Sequence, residues 1–199
     1  VAFASSGAMI AIEKKMDIFG VNVLGATTAV GGGIMRDIIL GLTPPGAFSH
    51  PVYVLVAALT STILFVIAYA KPTAFESRVK TDYYDKLMFW CDTAGLGIFT
   101  VVGIQAAVRA VGGENVFFFV FIGTLTGVGG GVLRDIMAGE TPYILVKHIY
   151  ACAAIAGGIV CVVGRTAFGE AYGTILGLAA TVLLRFLAAH FRWNLMRVS

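Results

Sequence analysis

The chain has 199 residues, 58% of them hydrophobic and only 13% charged, with a net charge of +3. A soluble domain is roughly a quarter charged, so too few polar residues are present to cover a water-facing surface; a soluble enzyme, a disordered chain and a collagen-like fibre are excluded. The small net charge, with no dense basic stripe, argues against nucleic acid as a partner, and an integral membrane protein remains.

Apolar segments fall at about 1–12, 17–42, 51–70, 87–108, 116–138, 143–164 and 171–189. They are continuous rather than alternating, which excludes a β-barrel and predicts an all-α integral membrane fold with seven transmembrane helices. The first segment is too short for a bilayer core of about 30 Å. It opens on Val1, so the first helix is expected to begin upstream of the sequence given. Connections 13–16, 71–86 and 139–147, with the tail from 190, carry Lys14, Lys15, Lys71, Arg78, Lys80, Lys86, Lys147, Arg192 and Arg197, against Arg109 and Arg165 on the opposite connections. That bias predicts the N-terminus outside and the C-terminus in the cytoplasm of a prokaryotic inner membrane. Tyr83, Tyr84, Trp90 and Trp193 suit the interfacial aromatic belt. Cys91, Cys152 and Cys161 are isolated in apolar runs and read as small hydrophobes.

The halves of the chain repeat. Gly31-Gly32-Gly33-Ile34-Met35-Arg36-Asp37-Ile38 matches Gly129-Gly130-Gly131-Val132-Leu133-Arg134-Asp135-Ile136 at an offset of 98, continuing through Gly41/Gly139, Thr43/Thr141, Pro44/Pro142 and His50/His148. Upstream, Phe3 and Gly7 match Phe99 and Gly103 at an offset of 96. The expected organisation is a first three-helix repeat (1–70), a cytoplasmic linker (71–86), a second repeat (87–164), and a seventh helix with a basic tail (165–199). Three spans is an odd number, so the second copy enters the membrane inverted, an architecture common among transporters.

Each glycine triplet costs helical stability and permits unusual backbone angles. Helices two and five are therefore expected to break or kink at Gly31, Gly32, Gly33 and at Gly129, Gly130, Gly131, a break freeing carbonyls that attract cations. The alternative is that the glycines only permit close helix crossing. Thr27, Thr28, Thr124 and Thr126 precede the triplets and could line a wet path. Charges at membrane depth usually pair or face water. Neighbouring positions on a helix point about 100° apart, so each arginine is expected to pair with something other than the aspartate beside it. One candidate is a cross-repeat pairing of Arg36 with Asp135 and Arg134 with Asp37, and the charges would either lock the repeats together or serve permeation. Asp92 reads as an ion contact or an interface residue. Thr43-Pro44-Pro45 and Thr141-Pro142 are expected to end spans two and five. Gly173/Gly177 and Ala154/Gly158 suit either oligomer contacts or packing within the chain. Ser/His/Asp groupings, metal-ligand spacings and phosphate loops are lacking, so no enzyme and no cofactor is implied.

Two copies of GGGxxRD followed by a glycine and Thr-Pro, together with Phe3-Ala4-x-Ser6-Gly7-Ala8, Asp17-x-Phe19-Gly20-Val21 and the stretch Arg185 to Trp193, resemble the prokaryotic trimeric intracellular cation channel family, also described through paired "glycine transporter" domains. The resemblance covers essentially the whole chain. It implies a homotrimer with a pore in each protomer, lined mainly by spans one, two, four and five, conducting monovalent cations such as K⁺ or Na⁺. Membrane lipids would be its surroundings, with bound lipid as a further occupant; no soluble protein partner is inferred. From the residues alone, a secondary transporter of a small zwitterion such as glycine competes with the channel, because half-helix ends with Arg36 and Arg134 could hold a carboxylate.

Overall fold

The computed structural model describes residues 1–70, 82–113, 115–146, 149–191 and 193, with side chains throughout these except at 82–85 and 146. Lys71, Arg78, Lys80, Lys147, His148, Arg192 and Arg197, and the side chains of Tyr83 and Tyr84, lie outside the described residues. Among the described residues the elements are α1 (Ala2–Glu13), α2 (Ile18–Ile39), α3 (Gly46–Ser49), α4 (Val52–Ala70), α5 (Asp82–Val111), α6 (Val116–Met137), α7 (Tyr143–Val146), α8 (Tyr150–Phe168) and α9 (Glu170–His190). Six of them (α2, α4, α5, α6, α8 and α9) are long and apolar enough to cross a membrane, and α1 is a shorter apolar helix. The order matches the apolar segments. The sixth span begins later than its hydropathy indicates, because Tyr143–Val146 forms a separate turn of helix before α8.

The two halves start and stop their second helices by the same chemistry. The Asp17 carboxylate accepts the Gly20 N–H at 2.8 Å, and the Asn115 side chain accepts the Phe118 N–H at 3.0 Å, so each helix begins on a side-chain cap. Each ends on a left-handed glycine, Gly41 at φ 69° and Gly139 at φ 71°. The Leu42 N–H donates to the Asp37 carbonyl and the Glu140 N–H to the Asp135 carbonyl, both at 2.8 Å, while Gly41 and Gly139 donate to Ile38 and Ile136. This is the Schellman arrangement, which uses up carbonyls left over at a helix end. The prolines expected to end these spans instead sit in the following loop, after the glycines have already turned the chain.

The helices pack as two groups of three, α1–α2–α4 and α5–α6–α8, which meet where α2 crosses α6 and α1 crosses α5. Val101, Ile104, Phe119, Ile122 and Cys161 form the core of the second group, and Ala8, Val21 and Leu24 that of the first. The last long helix, α9, lies on α8 and α5. Gly173 packs on the Arg165 backbone and Gly177 on Cys161, and Gly158 faces Ile104 and Val120. The small-residue pairs of α8 and α9 therefore serve packing within the chain. Leu55, Leu59 and Ile63 form an exposed apolar stripe on α4, the face expected to meet lipid. Of the three cysteines only Cys161 is buried, while Cys152 is exposed on the outer face of α8.

One polar tie joins the groups at the surface. The Lys14 ammonium, just past α1, bonds Glu140 in the loop after α6 and holds that carboxyl below its usual range. A depressed carboxyl stabilises the fold above its unfolded pKa and loses that contribution as pH falls through the folded value. Lys14→Gln is therefore expected to narrow the drop in thermal midpoint between neutral and acidic pH. The effect is small and confined to low salt, since the pair is half exposed. An unchanged pH profile in purified protein would contradict this assignment.

Candidate functional site

The triplets do not break their helices. Both α2 and α6 run without interruption through Gly31–Gly33 and Gly129–Gly131. The expectation of freed carbonyls therefore fails: unbroken helical winding keeps those carbonyls engaged with N–H groups four residues on. The reason for the glycines is the crossing of α2 with α6. A methyl on Gly32 would overlap the Thr126 carbonyl oxygen, and one on Gly130 would overlap the Thr28 carbonyl oxygen. The first glycine of each triplet faces a long side chain of the partner helix, Gly31 against Leu133 and Gly129 against Met35. A methyl on the third would, among the described residues, meet nothing nearer than the arginine of its own helix, 3.8 Å away at Gly33 and 3.9 Å at Gly131. As α2 advances from Gly31 to Met35, its partners on α6 run back from Leu133 to Gly129, so the helices cross in opposite senses.

Threonines flank this crossing. Thr28 and Thr126 are buried, and each hydroxyl donates to the carbonyl four residues earlier, Leu24 at 2.6 Å and Ile122 at 2.7 Å. Donation backwards leaves the oxygen lone pairs free to accept. Gly7 of α1 packs against Thr28, and Gly103 of α5 against Thr126, so the four helices α1, α2, α5 and α6 converge on these two hydroxyls. Thr27 is half buried on the face of Gly31. Thr124 is placed elsewhere. With Phe117, Phe121, Leu125 and Ile159 it lines an apolar groove of about 510 Å³ between α6 and α8, and its hydroxyl has no hydrogen-bond partner among the described residues.

The Arg-Asp pairs correct a second expectation. Arg36 does not reach Asp135, nor Arg134 Asp37. Each arginine bonds the aspartate beside it, Arg36 Nε to Asp37 Oδ1 and Arg134 Nε to Asp135 Oδ1, both at 2.8 Å. The aspartate fixes this geometry. Its second oxygen accepts a backbone N–H from the start of the next short helix, Gly46 for Asp37 at 2.8 Å and Tyr143 for Asp135 at 2.7 Å. Oδ1 then stays turned back toward the helix, and the flexible arginine arm closes over it. Arg-Asp thus stitches the returning loop to the helix end in both halves.

Beyond this shared stitch the halves differ. Among the described residues Arg36 pairs with Asp37 alone. Arg134 also donates to the Ser6 hydroxyl on α1 and stands 3.9 Å from the Asp92 carboxylate on α5. Asp92 also accepts the Tyr150 hydroxyl and lies 3.6 Å from Arg185 of α9. The Arg185 guanidinium, only 1% exposed, is stacked near the rings of Tyr150 (4.6 Å), Phe89 (4.9 Å) and Tyr143 (5.8 Å). Asp92 therefore belongs to a buried charged cluster that joins α5, α6 and α9. Sequence reasoning missed Ser6, Tyr150 and Arg185 as members of it. The signal for Arg185 was present: an ionisable residue within an apolar span warrants a search for its partner.

A bundle of apolar helices crossed at glycines around buried hydroxyls and ion pairs defines a polytopic helical membrane protein with a polar interior. The family profile described as "Glycine transporter" matches residues 1–69 and 89–166. The inner membrane protein YadS of Escherichia coli (strain K12) is 37% identical over 195 residues, covering 97% of this chain and 88% of that protein. The membrane protein YvgT of Bacillus subtilis (strain 168) is 32% identical over 195 residues, covering 98% and 90%. Among solved structures, a TRIC cation channel studied for the basis of its conductance aligns with a TM-score of 0.85 at 36% identity, covering all of this chain and 92% of the other. The TRIC trimeric intracellular cation channel orthologue from Rhodobacter sphaeroides aligns at 0.83 and 33% identity, covering 96% and 93%. The chain belongs to the prokaryotic branch of the trimeric intracellular cation channel family.

Proposed function

We propose that this protein is a K⁺-permeable monovalent cation channel, with a pore inside each protomer of a homotrimer. The observation that carries the reading is the likeness to TRIC cation channels over the full length of the chain. The pore follows the seam where α1, α2, α5 and α6 converge on Thr28 and Thr126, with Thr27 beside it. Hydroxyl lone pairs there substitute for part of the hydration shell of the ion. The crossing of Gly32 over Gly130 is the constriction, and conduction requires α2 and α6 to part there. The sequence holds no TVGYG-type filter segment, so selectivity among small monovalent cations is expected to be weak. The pairs Arg36-Asp37 and Arg134-Asp135 hold the ends of the constricting helices.

Residues 1–70 and 87–164 form inverted repeats in this reading, joined by the 71–86 linker. Its support is that matched residues meet their own counterparts: the Phe3 and Phe99 rings stack at 5.1 Å, and Gly32 lies against Gly130. Such self-contacts are what a two-fold axis would produce, and the opposed senses of α2 and α6 support an axis in the membrane plane. The Lys/Arg bias supports an external N-terminus and a cytoplasmic C-terminus in a prokaryotic inner membrane. K⁺ or Na⁺ is cargo, and no resident cofactor is needed.

Recording purified protein in a planar bilayer under a KCl gradient tests the reading. Unitary currents that reverse near the potassium potential are expected. Reversal at the chloride potential, or silence combined with saturable glycine uptake into liposomes, would overturn it in favour of an anion pathway or a transporter.

A further inference from the structure

The last long helix, α9, lies outside both repeats, yet it delivers a charge to the interior. Arg185 is almost fully buried, and its Nε and Nη1 have no hydrogen-bond partner among the described residues. Aromatic rings stack against it, and Asp92, at 3.6 Å, is the carboxylate it faces. The cluster holds two arginines and two aspartates. Asp135 is committed to Arg134, which it holds through both Nε and Nη2 at 2.8 Å, and to the loop backbone. Asp92 lies between the two arginines, 3.6 Å from Arg185 and 3.9 Å from Arg134, and since Arg134 is already balanced by Asp135, Arg185 supplies the charge that brings the cluster to neutrality. In the first half, Arg36 pairs with Asp37 alone among the described residues.

We propose that Arg185 is the residue through which α9 tunes cation permeation, by cancelling the Asp92 charge beside the Arg134 end of the pore. The inference rests on the channel reading above. Without Arg185, that end carries one uncompensated negative charge. In water a unit charge about 10 Å away raises the local concentration of monovalent cations about twofold. The effect reaches tens of ångströms at about 10 mM salt and only about 3 Å at 1 M. Charge tuning therefore leaves a salt signature that loosened packing does not.

Arg185→Gln is expected to raise unitary K⁺ conductance about twofold in dilute KCl and to leave it unchanged in concentrated KCl. The double variant Asp92→Asn with Arg185→Gln restores neutrality and is expected to return the dilute-salt conductance to the wild-type value. Arg185→Lys keeps the charge while losing the planar stack, and should match wild type at both concentrations. Equal conductance of wild type and Arg185→Gln in dilute KCl, a change of equal size at both concentrations, or a wild-type value missed by Arg185→Lys would each overturn the proposal. If Arg185→Gln does not fold, Arg185→Lys and the double variant decide the matter by the same criteria. Absence of any wild-type current would instead overturn the channel reading, and this inference with it.

Discussion

Gly32→Ala and Gly130→Ala are expected to destabilise the protein severely, whereas Gly33→Ala and Gly131→Ala should be neutral or mildly stabilising. All four substitutions add one methyl group to the same kind of triplet. At Gly32 the methyl overlaps the Thr126 carbonyl, and at Gly130 the Thr28 carbonyl. Backbone cannot swing aside as a side chain can. Overpacking a core typically costs about 1–3 kcal/mol, and a backbone collision belongs at or above the top of that range. At Gly33 the methyl meets its own arginine at 3.8 Å, and at Gly131 its own arginine at 3.9 Å and the Tyr150 hydroxyl at 4.0 Å, ordinary contact distances in both cases. There the better helix propensity of alanine contributes up to about 1 kcal/mol. Gly31→Ala falls between, because it meets the movable end of Leu133 at 2.7 Å. Thermal unfolding of the purified variants in detergent checks the order. Equal losses at Gly32 and Gly33 would show that the glycines act through helix winding rather than through the crossing.

Asp92→Asn is the second large effect. It removes the carboxylate that faces Arg185 and leaves that guanidinium buried against aromatic rings with no countercharge. Stripping one partner from a buried ion pair costs about 3–5 kcal/mol, while replacing both by neutral groups of similar volume is often nearly neutral. Asp92→Asn alone is therefore expected to lower thermal stability sharply, and Asp92→Asn with Arg185→Met to recover most of the loss. Additive losses in that double-mutant cycle would show that Asp92 and Arg185 do not act as a pair.

Both effects lie partly beyond what the sequence could disclose. The spans were legible because hydropathy follows directly from the need to satisfy backbone groups in lipid. The repeat was legible because GGGxxRD recurs. Its consequence was misjudged at the triplets, because composition reports the cost of three glycines in a helix but not the neighbour that repays it. Only the closeness of Thr126 to Gly32 shows that a tight crossing, rather than a break, is what the glycines permit. The Arg-Asp pairs were misassigned for a similar reason. Angular spacing on a helix says where Cβ atoms point, but the Gly46 and Tyr143 N–H groups that orient each aspartate come from a returning loop. Arg134–Ser6 and Arg185–Asp92 join residues far apart in the chain, and only packing reveals them. Thr126 and Thr124, two residues apart, end in different surroundings, the one at the crossing and the other in an apolar groove between α6 and α8.

That last contrast gives the most direct test of the claim that ions pass the α2–α6 seam within a protomer. In a background with Cys91, Cys152 and Cys161 replaced, K⁺ currents through Thr28→Cys and Thr124→Cys channels are recorded before and after a small cationic thiol reagent. The account predicts irreversible block of Thr28→Cys and unaltered current through Thr124→Cys. Undiminished current through Thr28→Cys, with its modification confirmed by mass, would contradict it.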